Sequence, residues 1–213
     1  MDRSEPKAGG SAGPGGPQPL AAALQAAWTG LRDQSAEQIV WLGAQPSAHA
    51  WRLPVLNDFF EVDPGARRMT TGTGREVGSA WRILALHYLA IRGRPELCHP
   101  ELTFADLPTA RTYASVYRAR TVERLCATVG RTAEPLERAA RALGGLVARG
   151  GDLAFDFRVF PRLTVRLIWH APDQEFPPCA TLLLPGNIEA YLPSEDIVVV
   201  SELLVARLAG RPF

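Results

Sequence analysis

Residues 151–170, GDLAFDFRVFPRLTVRLIWH, carry the clearest structural signal in this 213-residue chain. Apolar side chains occupy every second position of two runs. They are Leu153, Phe155, Phe157 and Val159 in the first run, and Leu163, Val165, Leu167 and Trp169 in the second. A period of two puts alternate side chains on one face of a strand, and Pro161-Arg162 forms a tight turn between the runs. The stretch therefore predicts a hairpin with one buried face.

Patterns elsewhere in the chain add strands and helices to this hairpin. A third apolar run follows at residues 180–184, and residues 51–62 predict two further short strands. Helical spacing of apolar residues predicts helices over residues 20–32, 79–93, 109–130, 134–143 and 195–208. Ser194 is placed to cap the last helix, with Glu195 and Asp196 in its first turn.

These elements predict an α+β fold. We expect an antiparallel sheet, with a C-terminal hairpin or meander, to pack with several helices in a single domain over residues 20–213. Residues 1–19 are rich in Gly, Pro and Ser and lack core-forming side chains, so we expect a disordered tail there.

Composition restricts the classes of partner. The chain has 23 Lys and Arg against 22 Asp and Glu, so no overall positive field would attract nucleic acid. No apolar run is long enough to cross a bilayer, and the N-terminus lacks the hydrophobic segment of a signal peptide. We therefore expect a cytoplasmic protein whose partner is a small molecule or another protein, not nucleic acid or a membrane. The sequence does not predict an oligomeric state.

His87 is the one histidine in the strongly apolar helix predicted over residues 79–93. It falls between the directions of Ile83 and Ile91, so it is either a buried, hydrogen-bonded imidazole or a ligand to a bound molecule. The first reading is favoured. In the second, His87 lines a pocket against the sheet, and Arg118 and Arg162 face an anionic group. This reading predicts a non-catalytic ligand-binding or accessory protein.

The segment at residues 169–178, WHAPDQEFPP, supports a competing hypothesis. His170, Asp173 and Glu175 are candidate acid–base residues, because neighbouring carboxylates and an imidazole can have pKa values shifted apart. If Glu195 and Asp196 lay at the same end of the sheet, Asp173, Glu175 and these two would form an oxygen-rich metal site. That arrangement predicts a metal-dependent hydrolase. The alternative, which we favour, is that these polar residues only form a proline-stiffened loop between strands.

Seven segments in order resemble a known family. They are LALHYLAIRG, TFADLP, TYASVY, ALGG, GDLAFDFRVFPRLTVRLIW, DQEFPP and YLPSEDIVVV, within residues 81–208. This order is similar to the prokaryotic domain-of-unknown-function family 3786. The resemblance implies a protein of the kind found mostly in anaerobic bacteria and archaea, and it implies no particular activity.

Some relatives in that family carry extra cysteines and are described as iron–sulfur proteins. This chain has only Cys98, Cys126 and Cys179, which are scattered and contain no CxxC pair. Three thiols cannot supply a four-cysteine cluster, so no iron–sulfur cluster is expected. The anaerobic setting of the family makes a tetrapyrrole or corrinoid one candidate ligand, with His87 as its first candidate for an axial ligand.

Overall fold

A computed structural model describes residues 17–108, 110 and 113–213. Residues 1–16 of the predicted tail lie outside the described residues, and the first helix begins at Pro17, three residues earlier than predicted. In chain order the helices are α1 (Pro17–Arg32), α2 (Ala36–Trp41), α3 (Ser79–Leu89), α4 (Ala114–Arg120), α5 (Val122–Ala127), α6 (Ala133–Ala142) and α7 (Ser194–Leu208). The strands are β1 (Gln45–Ser47), β2 (Ala50–Val55), β3 (Asp58–Asp63), β4 (Arg68–Thr71), β5 (Pro100–Leu102), β6 (Leu146–Val147), β7 (Leu153–Phe160), β8 (Leu163–His170) and β9 (Cys179–Pro185).

The strands form two antiparallel sheets, which confirms the predicted α+β fold. Strands β1 to β4 form a four-stranded meander. The second sheet has five strands in the order β5-β9-β8-β7-β6. The two strands predicted in residues 51–62 therefore belong to a separate N-terminal sheet, and the C-terminal hairpin forms the middle of the other one.

The hairpin of β7 and β8 buries the predicted face, and its register shifts between Arg158 and Phe160. Leu153 pairs with Trp169, Phe155 with Leu167 and Phe157 with Val165, and these side chains lie on the face that packs into the core. The Trp169 indole is fully buried and donates a hydrogen bond from Nε1 to the carbonyl oxygen of Gly130, at 2.8 Å. This bond ties the sheet to the turn that follows α5, because a buried indole N–H needs an acceptor.

Helix α3 lies at the centre of the molecule and contacts both α1 and α7. The Tyr88 hydroxyl donates to the carbonyl oxygen of Leu42 at 2.7 Å and accepts from the backbone N–H of Arg162 at 3.1 Å. The ring stacks on Phe160, with centroids 4.5 Å apart. Burial raises the pKa of Tyr88, so the phenol stays protonated. One side chain therefore joins α3, the residue after α2 and the turn of the C-terminal hairpin.

The predicted long helix over residues 109–130 is wrong. Two short helices, α4 and α5, take its place within the described part of that segment. The break is at Thr121, whose backbone leaves the helical region with φ −114° and ψ −91°. Its hydroxyl donates to the carbonyl oxygen of Tyr117 at 2.7 Å. A threonine hydroxyl that bonds a carbonyl four residues earlier competes with the helical ladder, and helical spacing of apolar residues does not report it.

Helix α7 begins one residue earlier than predicted. Pro193, not Ser194, occupies the N-cap position. Glu195 and Asp196 lie in the first turn, as predicted, where the positive end of the helix dipole favours carboxylates. Within the described part of the chain, neither α7 nor any other helix has the length and apolarity needed to cross a membrane.

Replacing Tyr88 with Phe should lower the free energy of unfolding by about 1–3 kcal/mol. The substitution preserves the ring and leaves the Leu42 carbonyl and the Arg162 amide without their buried partner. Urea unfolding followed by circular dichroism measures the change. As a control, Thr29→Val removes an exposed hydroxyl that donates to Gln25 and should change the value by less than about 0.5 kcal/mol. Equal effects of the two substitutions would show that the Tyr88 hydroxyl does not join these elements.

Candidate functional site

His87 and Asp196 form the closest pairing of predicted site residues. His87 Nδ1 lies 2.7 Å from Asp196 Oδ2. The imidazole comes from the last turn of α3 and the carboxylate from the first turn of α7, 109 residues later in the chain. Each charge is at the helix end where the dipole favours it, because cations are stabilised at C-termini and anions at N-termini. Two helix ends therefore hold the pair together.

The two members of the pair differ in exposure. The Asp196 side chain is 10% exposed, whereas that of His87 is 38% exposed. Asp196 accepts the hydrogen bond, so Nδ1 carries the proton, and Nε2 of the neutral imidazole keeps a free lone pair. The arrangement fixes a partly exposed imidazole ring, in which Nε2 is the nitrogen that Asp196 does not engage.

The carboxylate also changes the titration of the imidazole. The hydrogen bond that Asp196 accepts from His87 raises the pKa of His87 above its ordinary value of about 6.5, and partial burial opposes this effect. A ligand that binds through Nε2 must therefore displace a proton more often than at an ordinary histidine. Binding through this atom would strengthen as pH rises.

The segment that follows His87 is fixed by hydrogen bonds from the C-terminal region. The hydroxyl of Tyr191 donates to the carbonyl oxygens of Pro95 at 3.0 Å and Glu96 at 3.2 Å. The amide of Asn187 donates to Glu96 as well, at 2.8 Å. These bonds hold the connection from α3 to β5 against the chain just before α7.

Arg162 lies in the turn of the hairpin, beside the Tyr88 hydroxyl. Its guanidinium stacks on the ring of Trp41 at 3.6 Å, and its Nε donates to the Trp41 carbonyl oxygen at 2.6 Å. The guanidinium also lies close to the Tyr191 hydroxyl. Burial raises the pKa of Tyr191, whereas the positive charge of Arg162 and its hydrogen bond lower it. No carboxylate of the described residues forms an ion pair with Arg162. Arg162 is therefore a half-buried cation without a counterion in that part of the chain.

Arg118, by contrast, is not part of these surroundings. It is exposed on α4 and forms an ion pair with Glu123 at 3.5 Å. It lines a groove beside β9 together with residues such as Tyr117 and Cys179. In the described residues no hydrogen bond or ion pair joins it to His87 or Arg162. The contacts of the described residues therefore do not bring His87, Arg118 and Arg162 together in the predicted pocket.

Asp173 and Glu175 lie in the exposed loop between β8 and β9, which also follows the exposed His170. Asp173 Oδ1 accepts the backbone N–H groups of Glu175 and Phe176, each at 2.8 Å. These bonds lower the pKa of Asp173, which is the opposite of what a general acid needs. The carboxylate shapes the turn, as the favoured structural reading predicted.

The predicted convergence of carboxylates is not found. The acidic loop precedes β9, whereas Glu195 and Asp196 follow its other end, and the seven residues of β9 span about 20 Å. Among residues 17–108, 110 and 113–213, no group of three or more His, Cys, Asp and Glu is placed to hold a metal ion. Asp196 instead pairs with His87, a contact that nothing in the sequence signalled, because the two residues are distant in the chain and belong to different helices.

Comparisons with known proteins identify a family and no closer relative. A family model described as "Domain of unknown function (DUF3786)" matches residues 37–207. The match confirms the resemblance read from the sequence and extends it towards the N-terminus. No curated protein and no solved structure matches the chain.

The pH dependence of stability tests the His87–Asp196 pair. A raised folded-state pKa stabilises the protein fully below the unfolded value of about 6.5, and this contribution is lost as pH rises through the folded value. The stability difference between the wild type and Asp196→Asn should therefore be largest near pH 6 and smaller near pH 8.5, within a window of about pH 5.5–8.5. Urea unfolding at a series of pH values measures it.

Glu195→Gln is the matched control, because it removes the neighbouring exposed carboxylate and leaves the hydrogen bond in place. Its stability difference from the wild type should vary much less over the same pH window. A difference for Asp196→Asn that is constant with pH would contradict a coupled titration of His87 and Asp196.

Proposed function

The chain belongs to the DUF3786 family, and we propose that it is a non-catalytic ligand-binding protein whose ligand contacts Nε2 of His87. The observation that carries the proposal is the hydrogen bond of 2.7 Å between His87 Nδ1 and a largely buried Asp196. Histidines that bind metals usually donate their other ring N–H to a carboxylate or carbonyl, which fixes the ring and makes the binding nitrogen more basic. His87 has this arrangement.

We propose a metal-bearing macrocycle, such as a tetrapyrrole or corrinoid, as the class of ligand. A macrocycle supplies the equatorial ligands of its metal, so a single protein imidazole is enough as the axial ligand. His87 lies in the last turn of the central helix α3, and Asp196 orients its ring. Binding such a ligand would need one correctly oriented imidazole and would not need a cage of several side chains.

Arg162 is the proposed contact for an anionic substituent of this ligand. The stacking on Trp41 holds the guanidinium in place, and Nε is already bonded to the Trp41 carbonyl, so the donors that remain for a ligand are terminal N–H groups not used by the neighbouring Tyr191 hydroxyl. Arginine pairs well with carboxylates and phosphates through such nitrogens. A half-buried cation without an acidic partner among the described residues gains most from an anionic ligand.

The ligand-binding proposal is preferred to a metal-dependent hydrolase. The hydrolase hypothesis depends on Asp173 and Glu175 acting together with Glu195 and Asp196, which lie beyond opposite ends of β9. It also requires an ionisable carboxylate that is free to transfer a proton, whereas Asp173 is engaged in two backbone hydrogen bonds. The observations therefore favour binding through His87.

Titration with haemin and, separately, with aquacobalamin tests the proposal. Coordination by His87 should shift the visible absorption bands of at least one of these probes on addition of the full chain. His87→Ala should abolish the shift. Asp196→Asn should weaken binding by about 10- to 100-fold, because the ring loses its orienting partner. Circular dichroism on each variant separates this loss from unfolding.

His49→Ala is the matched control, since His49 is an exposed imidazole in the turn between β1 and β2 that also faces an acid, Asp63. It should leave the absorption shift unchanged. Either of two results would contradict the proposal: neither probe binds, or His87→Ala binds as the wild type does.

A further inference from the structure

The acidic loop over residues 171–178 and a groove beside β9 are complementary surfaces on one chain. We propose that they form an interface between two copies of this chain, in which Phe176 of each copy enters the groove of the other. The groove, called here the β9 groove, lies between β9 and α4. The inference is independent of the ligand proposed for His87.

Phe176 is held in an exposed position. Its side chain is 65% exposed, although it is large and apolar. The Asp173 carboxylate accepts the N–H of Phe176, and the Asp173 N–H donates to the Phe176 carbonyl at 3.0 Å. Pro172, Pro177 and Pro178 further limit the loop. The turn thus presents an aromatic side chain to solvent at little further entropic cost on binding, which is a property of interface anchors.

The β9 groove offers an apolar recess of about 320 Å³. Its walls include Phe104, Tyr117 and Val122 on one side and Ala180 and Leu182 on the other. Phe104 and Tyr117 stack with ring centroids 4.2 Å apart, so the wall is rigid. An aromatic side chain that enters this recess would remove apolar surface of both partners from water.

Beside this groove, most of β9 lacks a partner strand on one side within the described residues. Residues 179–183 of β9 pair with β8, whereas β5 reaches only Leu184 and Pro185 on the other side. An edge of this kind can accept hydrogen bonds from an approaching extended segment. The loop that carries Phe176 leads directly into this edge at Cys179.

Charge and position both favour a second copy as the occupant. Asp173 and Glu175 precede the aromatic anchor on the loop, and Arg118, which is 69% exposed and pairs with Glu123 at 3.5 Å, lines the groove. The charges of loop and groove are therefore opposite. Since Cys179 ends the loop and also lines the groove, the two surfaces are neighbours on each chain. Neighbouring complementary surfaces can contact each other reciprocally about a two-fold axis, which closes the assembly at a dimer.

Sedimentation equilibrium of the full chain over a concentration series tests the dimer. The wild type should dimerise, and Phe176→Ser should raise the dissociation constant by at least about tenfold, as expected for loss of a buried aromatic anchor. Leu146→Ser is the matched control: Leu146 is 64% exposed and lies on β6, at the other edge of the same sheet. It should leave the dissociation constant unchanged.

Charge reversal tests the orientation of the two copies. Arg118→Glu and Glu175→Arg should each weaken the dimer, and the double variant should recover at least part of the loss. A chain that stays monomeric at its highest soluble concentration would overturn the proposal and assign the loop to a different partner protein. A dimer that Leu146→Ser disrupts and Phe176→Ser does not would overturn it as well, as would a double variant without any recovery.

Discussion

The buried hydroxyl of Tyr88 is the contact on which the arrangement of the molecule depends. It bonds the Leu42 carbonyl after α2 and the Arg162 amide in the hairpin turn, so both halves of the chain meet at one side chain of α3. If either hydrogen bond were lost, a buried backbone group would be left without a partner, at a cost of about 1–3 kcal/mol for each group. These two hydrogen bonds restrict the rotation of α3 about its axis and its position along that axis.

The position of His87 follows from that constraint. His87 is the residue before Tyr88, so its direction around the helix is set once the Tyr88 bonds are made. It then faces the first turn of α7, where Asp196 is stabilised by the helix dipole and accepts the Nδ1 proton. The pair is therefore a consequence of core packing, and it leaves Nε2 as the ring nitrogen that Asp196 does not engage. A rigid support for one oriented donor atom is what a binding site requires.

The sequence predicted those parts of the fold that depend on local periodicity. Apolar residues recur at every second position over most of β7 and β8, so their buried face could be read directly from the sequence. The break at Thr121 could not, because the apolar spacing stays helical on both sides of it while the backbone of Thr121 itself leaves the helical region. The candidate site shows the same division. His87 was identified from its apolar helix, but its partner comes from the far end of the chain, where Asp196 was expected to join the carboxylates of residues 171–178. Only the structure, in which β9 runs between the loop of residues 171–178 and the segment that leads to Asp196, shows that these carboxylates are apart.

The central claim is that His87 contacts a ligand through Nε2. Native mass spectrometry, with an absorption spectrum of the same sample, tests it most directly on protein purified without oxygen, for the wild type and for His87→Ala. We expect an additional bound mass and a visible absorption band in the wild type, and the loss of both in a folded His87→Ala variant. A bound mass that His87→Ala retains, or a wild-type protein that carries no ligand in any preparation, would contradict the claim.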